Sequence, residues 1–213
     1  MPIAYKDWSV TVRALAEGEQ LIALRAGAPK EPSGRADLEH ERFFLYPTFD
    51  FHRADLVRES QQPELTRALE EGVWAEGEPS PVEITREGHL PQPDRIRVRA
   101  WAEVVQEWTI DDRRVLNELA PFHVWTPTYA ERRLGWRRRD PLHVVLLRTH
   151  RIPRPVTVRV GDEYSTPGNW AEISRQLPFE GTPVLADGEF DHVSEVISGI
   201  LNASTAQSTA ALA

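Results

Sequence analysis

The sequence contains no cysteine, and lysine occurs only at Lys6 and Lys30. The absence of cysteine excludes disulfides, thiolate nucleophiles and cysteine-ligated zinc or iron–sulfur sites. A restriction-type nuclease core needs a lysine two positions after an acidic residue, because the pair holds Mg²⁺ and stabilises developing charge. Alanine stands at that position before both lysines, at Ala4 and Ala28. The usual endonuclease motif is therefore absent.

Long apolar runs and short catalytic motifs are also missing. No segment approaches the roughly 20 apolar residues of a membrane span, and the N-terminus lacks a basic start followed by an apolar run. We therefore expect a cytoplasmic protein with no membrane partner. The sequence has neither a Gly-x-Ser-x-Gly elbow nor a glycine-rich loop for dinucleotides or phosphates. This argues against serine hydrolases, kinases and nucleotide-dependent oxidoreductases, and no cofactor is predicted.

Composition and charge are those of a folded protein with a local basic surface. Of the 213 residues, 40% are hydrophobic and 27% are charged, which is ordinary for a globular domain. The net charge of −8 argues against non-specific binding to a polyanion. Acidic residues are concentrated over 64–78, whereas arginines crowd the segment 132–139 and permit a specific anionic ligand. Three of them are predicted phosphate contacts: Arg137, Arg138 and Arg139.

Hydrophobic periodicity predicts short helices and strands along the chain. The clearest strand covers 95–110, where Ile96, Val98 and Ala100 alternate with polar or aromatic residues. Other strands are predicted over 20–25, 42–46 and 142–151, and prolines should end the last two. Helices are predicted over 5–17, 63–71, 111–119, 126–135, 169–177 and 189–201.

The start of the chain is ambiguous. Trp8, Val12 and Leu15 have helical spacing, whereas Trp8, Val10 and Val12 alternate as in a strand. We favour a helix that ends at a glycine, Gly18. Together the elements predict an α+β fold, a single domain around a mixed, barrel-like β-sheet flanked by short helices. We place this domain at 1–202 and expect the low-complexity residues 203–213 to form a disordered tail.

Two blocks, at 39–52 and 121–136, are rich in histidine, arginine and aromatic residues beside prolines. Aromatic rings can sandwich a base while arginine and histidine donate to its edge or phosphate. A helix N-terminus at Thr126 would add the positive end of a dipole. The blocks therefore predict one shared ligand-binding site, formed by His40, Arg42, Tyr46, Thr48, His52, His123, Trp125, Tyr129, Arg133 and Trp136.

Two other interpretations of these blocks are open. His40, His52 and His123 could serve acid–base chemistry in a small hydrolase or nuclease-like enzyme. Their spacing matches no tight zinc signature, so no metal is predicted. The aromatic residues could instead be core side chains of a structural interaction module, with Arg133 reaching the rim. A dry, fully packed set of rings would favour that module.

The two blocks, together with 18–27 (GEQLIALRAG) and 141–148 (PLHVVLLR), resemble an uncharacterised prokaryotic family, the domain of unknown function 1802. The resemblance covers roughly residues 5–160, which leaves 161–202 as a C-terminal extension packing on that core. Such domains are sometimes fused to Mrr-like restriction endonuclease domains, which implies DNA restriction or defence and an endonuclease partner.

A second likeness is architectural. The helix, the strand ending in arginine, the long strand and the late helix resemble PUA-like barrels, including the ASCH and EVE groups. Those barrels commonly bind RNA or modified DNA bases. We therefore expect a nucleic-acid recognition module for DNA or RNA, reading a modified or flipped base, rather than an enzyme. The oligomeric state stays open.

Overall fold

The computed structural model describes residues 1–26, 40–49, 54–79, 90–132, 142–166 and 168–211. Its strands are β1 (Ile3–Trp8), β2 (Ile22–Ala26), β3 (Arg42–Thr48), β4 (Gly72–Val73), β5 (Arg95–Ile110), β6 (Leu142–Arg159), β7 (Trp170–Glu172) and β8 (Thr182–Pro183). Its helices are α1 (Ser9–Glu17), α2 (Gln62–Arg67), α3 (Arg113–Glu118), α4 (Tyr129–Arg132) and α5 (Asp187–Ala211).

One mixed sheet organises these elements. Its strand order is β2-β6-β5-β3-β1-β7, with β4 added on β5 and β8 on β6. β1 and β3 run parallel, and the other pairs are antiparallel. The predicted α+β class, the single domain and the mixed sheet flanked by short helices are confirmed.

The sheet is strongly curved but not closed. No ladder joins β2 to β7 in the described part of the chain, so the expected barrel is corrected to an open sheet. Three strands separate β2 from β1, which in a flat sheet would place them about 19 Å apart. The guanidinium carbon of Arg25 on β2 nevertheless lies 4.6 Å from the ring centre of Tyr5 on β1. Curvature therefore brings these strands face to face across an interior.

Apolar side chains pack on both faces because strand residues alternate between them. Phe43 and Leu45 of β3 belong to the interior cluster, where α1 contributes Val12 and Leu15. Phe44, the residue between the two interior ones on β3, belongs to the larger outer cluster. Helices α2 to α5 and the turns beside them cover that outer side. Each face of the sheet is thus buried by its own set of elements.

The helix predicted over 5–17 is wrong in its first part. Residues up to Trp8 form β1, and α1 begins at Ser9. β1 pairs with β3 on one side and β7 on the other, and these tertiary ladders outweigh the local helical spacing. The predicted end is confirmed, because Gly18 has a φ of 81° and its N–H lies at the Leu15 carbonyl, 3.3 Å away.

Prolines interrupt neither β3 nor β6, contrary to the prediction. Pro47 pairs with Asp7 of β1 on one side of β3. On the other side, β5 pairs only with the first residues of β3 and does not reach Pro47. The missing N–H of Pro47 is therefore tolerated, because no partner strand lies beside it there. Pro153 and Pro155 lie in a bulge of β6, where the β5–β6 register shifts. Prolines are tolerated at such positions because no ladder hydrogen bond is lost there.

The remaining helices agree only in part with the predictions. The helix over 169–177 is wrong, since β7 occupies its start and pairs with β1. α3 confirms the helix predicted over 111–119. Its N-cap is Asp112, whose side chain accepts the Arg114 N–H at 2.8 Å. α5 is confirmed and its backbone continues to Ala211, into the segment 203–213 expected to be disordered. The division into a domain and a tail stays a prediction.

Candidate functional site

The aromatic residues of the second block are core side chains. Trp125 and Tyr129 stack with their ring centres 4.0 Å apart, and both contact the edge of Trp8. Each of the three rings is almost fully buried in the outer cluster. A ligand could stack on them only after this core opened, so the arrangement is the packed one that favours a structural role.

His123 is buried beside the same rings. Its Nδ1 accepts the backbone N–H of Trp125 at 3.2 Å, which leaves the ring proton on Nε2. Burial lowers the pKa of His123 to about 4, the Leu116 backbone opposes this shift, and the charge of Arg58 adds to it. The ring is therefore neutral at physiological pH and poorly suited to acid–base catalysis.

The predicted histidine cluster does not assemble among the residues with described positions. His40 contacts the edge of Trp170 at 5.1 Å, whereas the contacts of His123 are with Trp125 and its neighbours. His52 lies outside the described residues, as do Arg133, Trp136, Arg137, Arg138 and Arg139. Within the described ranges, no group of three His, Asp or Glu residues could hold a metal ion.

The polar residues of the first block serve the fold in this structure. The Tyr46 hydroxyl donates to Glu163 Oε1 at 3.2 Å, and Thr48 Oγ1 donates to the Asp7 carbonyl at 3.2 Å. Arg42 is exposed and pairs with Glu103 at 3.1 Å. A ligand role for the residues of both blocks stays a prediction.

A different set of residues meets in the interior of the sheet, around Arg25. Besides lying 4.6 Å from the Tyr5 ring, the guanidinium lies 5.8 Å from the ring of Trp170. Tyr5 and Trp170 are direct partners in the β1–β7 ladder, so both rings project to the same side. Phe43 and His40 each contact Trp170 by an edge. We call these five residues the arginine–aromatic cluster.

Arg25 is a buried charge without an acceptor among the residues that the structure describes. Its residue is 7% exposed, and it makes no hydrogen bond or ion pair with any residue that the structure describes. Nη1 in particular is enclosed without an acceptor. Buried charges in folded proteins are normally paired, because removal from water costs several kcal/mol. The cation–π contacts offset roughly 0.5–2 kcal/mol of that cost.

The acidic group nearest to Arg25 along the sheet is already engaged. His143 is the direct ladder partner of Arg25, and Glu107 projects to the same side because it pairs with Val145. His143 Nδ1 donates to Glu107 Oε1 at 2.5 Å, since a carboxylate can only accept. His143 is buried and the Glu107 side chain is 22% exposed, so the pair places a polar group beside Arg25 at the edge of the interior.

Other arginines of the chain have a carboxylate partner, as buried charges in proteins usually do. Glu71 is fully buried, and its carboxylate accepts from Arg99 Nε at 2.6 Å and from Arg13 Nη1 at 3.4 Å. Burial raises the pKa of Glu71, while both guanidinium groups act to lower it. Unlike Arg99 and Arg13, the Arg25 guanidinium has no carboxylate partner in the described ranges.

Sequence reasoning missed the arginine–aromatic cluster apart from His40. Tyr5 and Trp170 were both assigned to predicted helices, over 5–17 and 169–177. Two signals were visible: an arginine that closes the apolar strand 21–24, and a histidine inside the apolar run 142–147. Neither indicates that the two strands lie across an interior from β1 and β7.

These features define a single-domain α+β protein with a curved mixed sheet and a buried cation among aromatic rings. The chain belongs to the family described as Domain of unknown function (DUF1802), whose model matches residues 4–195. The predicted family is therefore confirmed, and the match extends past the expected region 5–160. No curated protein and no solved structure matches the chain.

Proposed function

We propose that this protein recognises nucleic acid, and that the arginine–aromatic cluster receives an unpaired base or a terminal phosphate. The buried guanidinium of Arg25, which has no acceptor among the described residues, is the observation that carries the proposal. A ligand that brings oxygen acceptors would supply the partner that the described residues do not provide. Its binding would recover the cost of burying the charge.

The chemistry of the cluster selects the class of ligand. A guanidinium presents a rigid, planar set of donors that suits phosphate oxygens or the acceptor edge of a base. The rings of Tyr5 and Trp170 supply flat apolar surface, which stacks on bases of any sequence. A nucleotide combines an anionic group with an aromatic ring, so it matches both halves of the cluster.

The cluster favours binding over catalysis. Its members are one cation, one histidine and three other rings, without a hydroxyl or carboxylate nucleophile apart from the phenol of Tyr5. A base held between rings is also what the likeness to PUA-like barrels implies. The setting of restriction or defence and the partner endonuclease remain expectations from the family resemblance alone.

The test compares Arg25→Met with Arg148→Met. Arg148 is a matched control because its guanidinium also lies over a ring, 4.5 Å from Phe190, but it has a carboxylate partner in Asp187. Binding would be measured by fluorescence anisotropy with labelled single- and double-stranded DNA and RNA, with and without base modification and 5′-phosphate, at two salt concentrations.

We expect Arg25→Met to weaken binding at least tenfold and Arg148→Met to leave it unchanged. The size follows because a hydrogen bond to a charged group contributes roughly 1.5–3 kcal/mol, and 1.4 kcal/mol is tenfold in affinity. Without ligand, Arg25→Met should melt no lower than the wild type, since an unpaired buried charge is removed. Absence of binding to every probe at low salt, or equal binding by both variants, would reject the proposal.

A further inference from the structure

A row of arginines lies where β5 begins and β6 ends, at the end of this strand pair that is opposite to Arg25. Arg95 and Arg159 are direct partners in the ladder, and Arg97 follows two residues after Arg95. The intervening Ile96 and Val158 are buried in the outer cluster. Because side chains alternate along a strand, the arginines share the opposite, solvent-facing side. We call Arg95, Arg97 and Arg159 the arginine row.

The charge of Arg97 is partly balanced within the fold, because Arg97 is one of the groups that lower the pKa of the buried Glu71 carboxylate. The Arg97 guanidinium donates to the Glu70 carbonyl, but neither Arg95 nor Arg159 has an acceptor among the residues described. The nearby Asp94 carboxylate accepts the Ala75 N–H at 2.5 Å. Like charges directly opposite each other on a sheet destabilise it. The pair is therefore a cost to the fold unless something else binds it.

Protection of a sheet edge explains only part of this pattern. In the described chain, the residues 156–159 of β6 pair with β5 on one side and with nothing on the other. Charges and prolines on such an edge prevent pairing with another chain, and that accounts for Arg159. Arg95 is different, because it lies between Val73 of β4 and Arg159 of β6. A residue with a strand on each side needs no such protection.

We propose that the arginine row contacts the phosphate backbone of a bound nucleic acid. The proposal rests on the proposed function, because it assigns a second contact surface to the same ligand. Exposed arginines without acceptors are the groups that replace condensed counterions along a phosphate backbone. They would hold the strand in place without reading its sequence, while the arginine–aromatic cluster would discriminate between ligands.

The path along β6 between the two surfaces sets an upper limit on the ligand length that is needed to reach both. His143, the ladder partner of Arg25, lies near the start of β6, and Arg159 is its last residue. At about 3.3 Å per residue, the strand between them measures on the order of 50 Å. A duplex rises 3.4 Å per base pair, so roughly 15 base pairs at most would reach both surfaces, since the curved sheet and the β6 bulge shorten the direct distance. A tetranucleotide can reach only one of them.

The test uses Arg95→Gln/Arg159→Gln with Arg113→Gln/Arg114→Gln as the control. The control removes the same two charges from exposed arginines at the start of α3. With a 30-base-pair duplex, the slope of log affinity against log salt should fall by about 1.8 in the first variant, since each lost phosphate contact removes about 0.9. The control should keep the wild-type slope. Tetranucleotide binding should be equal in all three proteins.

Elution from immobilised heparin separates this inference from the proposed function. The wild type and Arg25→Met should elute at the same salt concentration, and Arg95→Gln/Arg159→Gln should elute earlier. If nucleic acid fails to bind but this elution shift remains, the row stands as a polyanion surface and the proposed function falls. If the row variant and the control elute together, or the wild type is not retained, the inference about the row is wrong.

Discussion

Two buried side chains, His123 and Arg25, differ in how the free-energy cost of burying a charge can be avoided. His123 loses its proton, since burial lowers its pKa to about 4, and it then fits an apolar core as a neutral ring. A guanidinium has no such option, because it stays protonated at any physiological pH. Arg25 therefore needs an acceptor that the described residues do not supply. This difference is the reason why the proposed function is built on Arg25 and not on His123.

The lowered pKa of His123 makes stability depend on pH. Between about pH 4 and 6.5 the unfolded chain binds a proton that the folded chain does not, so the free energy of unfolding falls as pH falls. The full effect is on the order of 3 kcal/mol. Chemical denaturation of wild type and His123→Asn at pH 7 and pH 4.5 measures it.

His123→Asn should lose much of this pH dependence, because asparagine keeps an acceptor for the Trp125 N–H but does not titrate. His192→Asn is the matched control, since His192 is exposed on α5. An equal slope in both variants would show that His123 is not the responsible group. Replacing Trp125 would instead report on core packing, because that ring is fully enclosed.

At the scale of elements, an ion network ties α1 to β5 through Glu71. Arg13 projects from α1 and Arg99 from β5, and both bind this buried carboxylate. Arg99→Met should lower the free energy of unfolding by about 3 kcal/mol, because a buried charge loses its closer partner. Arg95 is the control, because it lies four residues before Arg99 on the same strand and is exposed. Arg95→Met should change the free energy of unfolding by less than about 0.5 kcal/mol.

The pH dependence of Arg99→Met provides a further check. Loss of the Arg99 charge removes a group that lowers the pKa of Glu71, so burial then raises this pKa further. A raised pKa in the folded state means that stability falls as pH rises. The destabilisation measured by chemical denaturation should therefore be smaller at pH 5 than at pH 8. An equal loss at both pH values would contradict the assignment.

Elements whose pattern is local were predictable from the sequence, and elements defined by pairing were not. β5 was predicted with its correct bounds because apolar and polar residues alternate along it. β1 and β7 were read as helical, although β1 is a strand through its ladders to β3 and β7, and β7 through its ladder to β1. The arginine–aromatic cluster depends on those same ladders and on the curvature of the sheet. It could not be found before the topology was known.

At the scale of the whole molecule, the curved sheet gives the chain two surfaces of different chemistry. Its interior holds a cation among rings, which suits recognition of a single base or phosphate. Its long hairpin carries exposed arginines at the other end. The net charge of −8 opposes general attraction to nucleic acid, so the proposed binding would have to come from these two positions. Such a division would favour specific over non-specific complexes.

The contacts of the long helix α5 with the outer cluster predict where the folded domain ends. Phe190, Ile197 and Leu201 pack into the outer cluster, and the Trp108 indole donates to Asn202 Oδ1 at 3.1 Å. Each large apolar side chain contributes roughly 1.5–3 kcal/mol when buried, and a typical domain is stable by only about 5–15 kcal/mol. A chain of residues 1–186 should therefore fail to fold, whereas residues 1–203 should keep the thermal midpoint of the full chain.

Circular dichroism melting and size-exclusion chromatography of the two truncated chains distinguish these cases. The prediction rests on the contacts of Leu201 and Asn202, and the boundary at residue 202 is what the two chains test. A midpoint for 1–203 that is several degrees below that of the full chain would mean that residues 204–211 of α5 also stabilise the domain. A cooperative melt of 1–186 would show that the sheet folds without α5, and that this helix is an appendage on a self-sufficient core.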